Sequence, residues 1–218
     1  MYTPAAFVEE RLEFIAQFLI DHPLAQLVTM TDHGLIATPL PMLYEPTTDG
    51  LGSLVGHVAR ANRQWVDASP TIEALAIFTG ASAYVSPNWY PSKAEHGKVV
   101  PTWNYETVHV RGGFVVHDDA AWKRALVTRL TQRHESRFEA PWAIDDAPPE
   151  YIATMLKAIV GIEVRITSVQ TKRKLSQNRP ETDVAGVVGG LTESGDEAAL
   201  VAESMKRSWS VTRPPGVA

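Results

Sequence analysis

The stretch Ile159-Val160-Gly161-Ile162-Glu163-Val164-Arg165-Ile166-Thr167-Ser168-Val169-Gln170-Thr171 carries the clearest strand period of the chain. Val160, Ile162, Val164 and Ile166 fall on one face and Glu163, Arg165 and Thr167 on the other, the alternation of a strand with one buried side. Trp103 to Val116 also alternates well enough for a long strand, with a bulge expected at Gly112-Gly113. Leu24 to Met30 and Leu35 to Leu43 flank the turn Thr31-Asp32-His33-Gly34 and read as a hairpin. Pro39 and Pro41 remove two ladder donors from one side of its second strand, which therefore borders an edge, a bulge or a ligand. Gly52 to Val58 and the apolar run Thr71 to Thr79 bring the count to about six strands.

Between and around these strands the period changes to that of helices. Thr3-Pro4 reads as an N-cap and first helical position, with Val8, Leu12, Ile15 and Leu19 on one stripe and His22-Pro23 as the stop. A short helical piece runs through Arg60 and Trp65, and Asp118-Asp119 opens a helix with Trp122, Leu126 and Leu130 inward. Glu150 to Lys157 and Leu191 to Lys206 read as further helices, and Arg213-Pro214-Pro215-Gly216 as a loose end. Strands joined mostly by short turns, with helices in blocks rather than in βαβ alternation, predict an α+β fold: a closed antiparallel barrel with flanking helices packed outside. The expected organisation is a main domain over 1–190 and a C-terminal helix and tail over 191–218.

Composition narrows the function. The 218 residues contain no cysteine, which excludes disulfides, thiolate nucleophiles, iron–sulfur clusters and cysteine zinc sites and fits a cytoplasmic location. Twenty Lys and Arg against 25 Asp and Glu give a net charge of −5, so no global field draws the chain to nucleic acid. No apolar run approaches the roughly 20 residues of a membrane span, and the start MYTPAAFVEERLEF is too acidic for a signal peptide. Gly50 to Gly56 has one residue too many between its second and third glycines for a dinucleotide turn, and His134-Glu135 is followed by Phe138 where a zinc protease needs histidine. The seven histidines show no ligand spacing, so no metal site is expected.

Three polar segments remain. Gly56-His57-Val58-Ala59-Arg60-Ala61-Asn62-Arg63-Gln64-Trp65 places two arginines at a strand-to-helix junction, which suits either an anion pocket or an ordinary solvated cap. Tyr84 to Tyr105 sets five aromatics among prolines and asparagines, which suits stacking of a planar ring or a rigid loop over a barrel mouth or partner. Lys172-Arg173-Lys174-Leu175-Ser176-Gln177-Asn178-Arg179 suits a phosphate, a nucleic-acid contact or a solvated charge run.

The motifs GHVARANRQW, AYVSPNWYPSK, PTWNYETVHVRG and KLSQNRP stand in the order and spacing of the PaiB-type FMN-binding negative transcriptional regulators, and the resemblance extends from the first helix through Gly190. It implies an antiparallel split β-barrel related to pyridoxamine-phosphate oxidases, and a homodimer with FMN at the subunit interface. It places Thr38, Pro39 and Leu40 along the flavin ring edge and gives His57, Arg60 and Asn62 to the phosphate and ribityl chain. Trp103, Asn104 and Thr107 would approach from the partner subunit, and Lys174 with Gln177 would close the site. Arg63 departs from the family, which often has proline there, and adds a cation at the phosphate end. The implied function is an FMN-binding regulator acting in part indirectly, with DNA binding weak for the protein alone. The alternatives are an FMN-dependent oxidoreductase of the same class or a binder of another planar cofactor such as haem.

Overall fold

The computed structural model describes residues 1–212, so the expected loose end at Arg213 to Gly216 lies outside the described residues. Seven strands are present among them: β1 (Leu24–Thr31), β2 (Gly34–Pro41), β3 (Leu43–Glu45), β4 (Ser53–Ala59), β5 (Ala74–Val85), β6 (Thr102–His117) and β7 (Ile159–Lys174). The helices are α1 (Leu12–Asp21), α2 (Gln64–Asp67), α3 (Ser92–His96), α4 (Ala120–Glu135), α5 (Pro149–Lys157), α6 (Glu181–Thr192) and α7 (Asp196–Thr212). None is long and apolar enough to cross a membrane.

The strands form one sheet in the order β2-β1-β5-β6-β7-β4-β3. The expectation of a closed antiparallel barrel, and with it the split β-barrel that the resemblance implies, is corrected here: β2 and β3 are edges, and the α+β fold carries an open seven-stranded sheet. The reason lies in β2. It pairs with β1 from Thr31↔Gly34 to Leu24↔Pro41, and the Met42 N–H continues the ladder by donating to the Pro23 carbonyl at 2.8 Å. Alternation then turns the backbone groups of residues 41, 39 and 37 to the outer edge, where the two prolines have no N–H to give. Pro41 comes close enough to β4 that a Cβ at Gly56 would lie 2.8 Å from its carbonyl oxygen, yet no ladder joins the two strands.

Elsewhere the structure refines the sequence reading. β7 buries Val160, Ile162 and Val164 as its alternation requires, but it continues to Lys174 and so takes in the start of the basic run. β6 passes through Gly112-Gly113 without interruption, and Gly112 gives room to the Arg165 carbonyl, which a Cβ there would strike. The first helix begins at Leu12, after a single 3-10 turn at Ala5–Phe7, because Glu9 is turned aside to bond Arg11 and Arg173. The helix expected at 191–206 is α7, which starts at Asp196; α6, over 181–192, was not expected, and Gly195, whose φ is +102°, stands between the two.

By compactness the described chain divides into two units. The first comprises residues 1–15, 79–108 and 170 onward, and the second residues 16–78 and 109–169. In the first, Val85, Tyr90, Leu175, Val187, Leu191, Val201 and Met205 form a buried cluster between the α6–α7 pair and the strand ends. In the second, Leu126 and Leu130 of α4 pack on Val55 of β4, and Ile152 and Leu156 of α5 pack with Ile144.

Candidate functional site

In the second unit the junction from β4 into α2 is organised by Asn62. Its Oδ1 accepts the Gln64 N–H at 2.9 Å, capping the short helix, and its Nδ2 donates to Thr38 Oγ1 at 3.1 Å. Asn62 and Thr38 are thus brought together, and the Thr38 hydroxyl is oriented beside the outer edge of β2. Pro39 is exposed there, while the Leu40 side chain is buried. Gln64, which sequence reasoning did not single out, is 1% exposed; its Nε2 donates to the Leu27 carbonyl at 3.0 Å and to Thr29 Oγ1 at 3.1 Å. That amide ties α2 to β1 and so fixes where Asn62 stands.

Arg60 is held elsewhere. Its Nε donates to the Lys157 carbonyl at 2.7 Å, and its Nη1 and Nη2 donate to the two Asp118 oxygens at 3.0 and 2.5 Å. The buried Lys123 ammonium donates to the same Asp118 carboxylate at 2.8 Å. Bonds first from Arg60 and then from Lys123 hold the Asp118 carboxyl well below the usual carboxylate range, and Asp118 raises Arg60 in turn. The Arg60 fork is therefore engaged with Asp118, a residue 58 positions away that no local pattern joins to it. Arg63, the departure from the family, is taken up by Asp67 one turn along at 2.7 Å. His57 faces away from these groups into a cavity under α4 and α5, and burial pushes its imidazole down from 6.5.

In the first unit, Trp103 is 54% exposed and meets Tyr84 edge-on, with ring centroids 6.3 Å apart. Asn104 is fully buried, donating from Nδ2 to Ser176 Oγ at 3.0 Å. Ser176 has a φ of +65°, so the Asn104 amide braces the left-handed corner that follows β7. Thr107 is buried as well. Lys174 donates from Nζ to Thr102 Oγ1 and to the Trp103 carbonyl, the latter at 2.5 Å. Burial, reinforced by Lys172 and Arg179, pushes its ammonium down. Gln177 spends both ends of its amide on the corner, accepting the Leu175 N–H at 2.7 Å and donating to the Arg173 carbonyl at 2.6 Å. Arg173 is buried with Glu106 at 2.7 Å and Glu9 at 3.2 Å and stacks on Phe14, so the basic octamer is only partly solvated. Hydrogen bonding from Arg11, first among its partners, lowers Glu9 to about 2.

No activated nucleophile emerges from the grouping of Ser53, Glu163 and His117. Glu163 stands in its middle, accepting Ser53 Oγ at 2.9 Å and lying 2.7 Å from His117 Nε2, so the imidazole does not reach the hydroxyl. Among the described residues no group of three His, Asp or Glu is placed to hold a metal ion.

Residues 1–168 match the protein family described as "Putative FMN-binding domain". The chain belongs to this PaiB-type FMN-binding family. It is 32% identical over 209 residues to the protease synthase and sporulation protein PAI 2 of Bacillus subtilis, covering 94% of this chain and 97% of that protein. An uncharacterized protein of Emericella nidulans is 30% identical over 236 residues, 91% of this chain and 93% of its own length. Among solved structures, the flavocytochrome Anf3 from Azotobacter vinelandii superposes with a TM-score of 0.57 at 15% identity, over 82% of this chain and 75% of that one, a likeness of fold.

For a PaiB-type chain the test is whether its residues suit a flavin. The outer edge of β2 offers carbonyl oxygens with few competing N–H groups, which matches the imide N–H of an isoalloxazine ring. Thr38 stands oriented there by Asn62; taken by itself, Lys174 of the first unit keeps one of its three N–H bonds unspent. These groups fit. Asn104, Thr107 and Gln177 are buried or engaged with the chain itself.

Proposed function

We propose that this chain is an FMN-binding protein, with Thr38, the carbonyls of Pro39 and its neighbours, and Asn62 serving the ring edge, and Lys174 and Trp103 as contacts that a partner subunit brings. The single observation that carries this reading is the donor-poor outer edge of β2 with the Thr38–Asn62 pair set beside it. Family membership supports the choice of flavin over haem. When bound, FMN supplies hydride and single-electron chemistry, while the chain binds and orients it. We further propose a homodimer, in which Trp103 contributes across the subunit interface.

A regulatory role in this reading is indirect. The α6–α7 pair is a helical hairpin, but α7 opens with Asp196 and Glu197, charges that repel phosphate at the end where a recognition helix would read DNA. Purification without added cofactor, followed by absorption spectroscopy and titration with FMN and with riboflavin, tests the assignment. Flavin bands, or FMN binding at micromolar concentration, are expected, and Lys174→Ala should weaken FMN by about tenfold while sparing riboflavin. Absence of FMN binding at those concentrations would overturn the reading.

A further inference from the structure

The cavity beneath α4 and α5 lies outside the groups proposed for the flavin. It measures about 270 Å³ and is lined by His57 together with Val127, Trp142, Tyr151, Met155 and Ile159 among others, none of them charged. Trp142, Tyr151 and Met155 stand half-exposed around it. His57 is the anomaly. It projects from β4 on the same side as Val55, where a valine or leucine would complete the apolar layer. Its half-buried ring makes no hydrogen bond to any described residue, so water at the mouth is what a ligand's polar group would replace. Burial keeps the imidazole neutral at physiological pH, leaving one N–H donor and one bare nitrogen acceptor unspent.

We propose that this cavity is a second binding site, for a small uncharged aromatic molecule of one or two rings whose hydroxyl or N–H pairs with His57. The ring packs on Trp142 and Tyr151, and the polar group satisfies the imidazole. The uncharged lining selects against carboxylates and phosphates, since an anion would enter without a counter-charge. The size agrees, because the cavity lies just below the 300–1,000 Å³ range typical of larger ligands. The proposal does not depend on the flavin reading.

The test uses the full chain with 4-ethylphenol and with ethylbenzene, which differ by the hydroxyl alone, followed by tryptophan fluorescence and ligand-observed NMR. The phenol should bind about tenfold tighter than the hydrocarbon, the scale of one hydrogen bond to the imidazole. His57→Phe should erase that preference while still binding both. Met155→Trp, which fills the cavity from the mouth, should abolish both and leave FMN affinity unchanged; because Met155 is partly exposed, this variant also guards against a His57→Phe chain that fails to fold. Equal binding of the two probes, an undiminished preference in His57→Phe, or displacement of FMN by 4-ethylphenol would each overturn the proposal.

Discussion

At the scale of single residues, charges in this chain are fixed by partners far away in sequence. Asp118 carries two cations at once, and one of them, Lys123, is only 4% exposed. Removing the carboxylate leaves an ammonium buried with a carbonyl as its remaining partner, so Asp118→Asn should lower the melting temperature. Adding Lys123→Met should restore part of the loss, because the stranded charge goes with it. Calorimetry on the two variants decides the matter, and a double variant less stable than Asp118→Asn would show that Lys123 does not depend on Asp118. His57 adds a pH dependence of definite sign. Burial lowers its pKa in the folded chain, so between the folded and unfolded values unfolding takes up a proton. Stability is therefore complete above about pH 6.5, falls as pH drops below it at up to ~1.4 kcal/mol per pH unit for one proton, and levels once the folded chain protonates too. His109 is lowered by burial in the same direction. Melting curves from pH 7.5 to 5 should show the decline, and His57→Phe should make it shallower.

At the scale of elements, α6 shows packing overruling local preference. Its sequence ETDVAGVVGGLT is poor in helix formers, yet Asp183 in its first turn accepts the Ser92 N–H at 3.1 Å and its hydroxyl at 2.7 Å, and Trp89 lies over Gly186 and Gly190. A Cβ at Gly190 would enter the Trp89 ring, whereas at Gly189 it would meet nothing within 4 Å. Gly190→Ala should thus destabilise by about 1–3 kcal/mol despite the better helix propensity of alanine, and Gly189→Ala should stabilise by up to about 1 kcal/mol. Urea denaturation of the pair separates the two contributions, and equal shifts would remove Trp89 from the account. Much of the architecture was legible in the sequence, because a strand such as β7 or the β1–β2 hairpin writes its alternation into consecutive residues. The delayed start of α1 was not, since it depends on Arg173 capturing Glu9 across 164 positions. The same limit applied to the candidate site: the proline-bearing strand stood out, but the Asp118 clamp on Arg60 and the corner braced by Asn104 join distant segments and leave no periodic trace.

For the whole molecule, the exposed aromatic and aliphatic side chains of the first unit bear on assembly. Tyr84, Val100 and Trp103 are each close to half exposed or more, a patch better suited to a subunit contact than to water. Light scattering should report twice the 23.9 kDa chain mass, and a monomer with flavin still bound would remove the interface from the binding scheme. Nucleic acid binding by the protein alone should be weak and steeply reduced by salt, because the net charge is −5 and Arg173 in the basic run is already paired with Glu106 and Glu9. A sequence-selective complex that persists at physiological salt would make a regulatory role direct. A strand at the margin of a sheet is a template on which an identical chain can add its own, the first step toward cross-β aggregation. With Pro39 and Pro41 turned outward, β2 withholds the amide protons such an addition needs, so the edge left open in one molecule does not recruit the next.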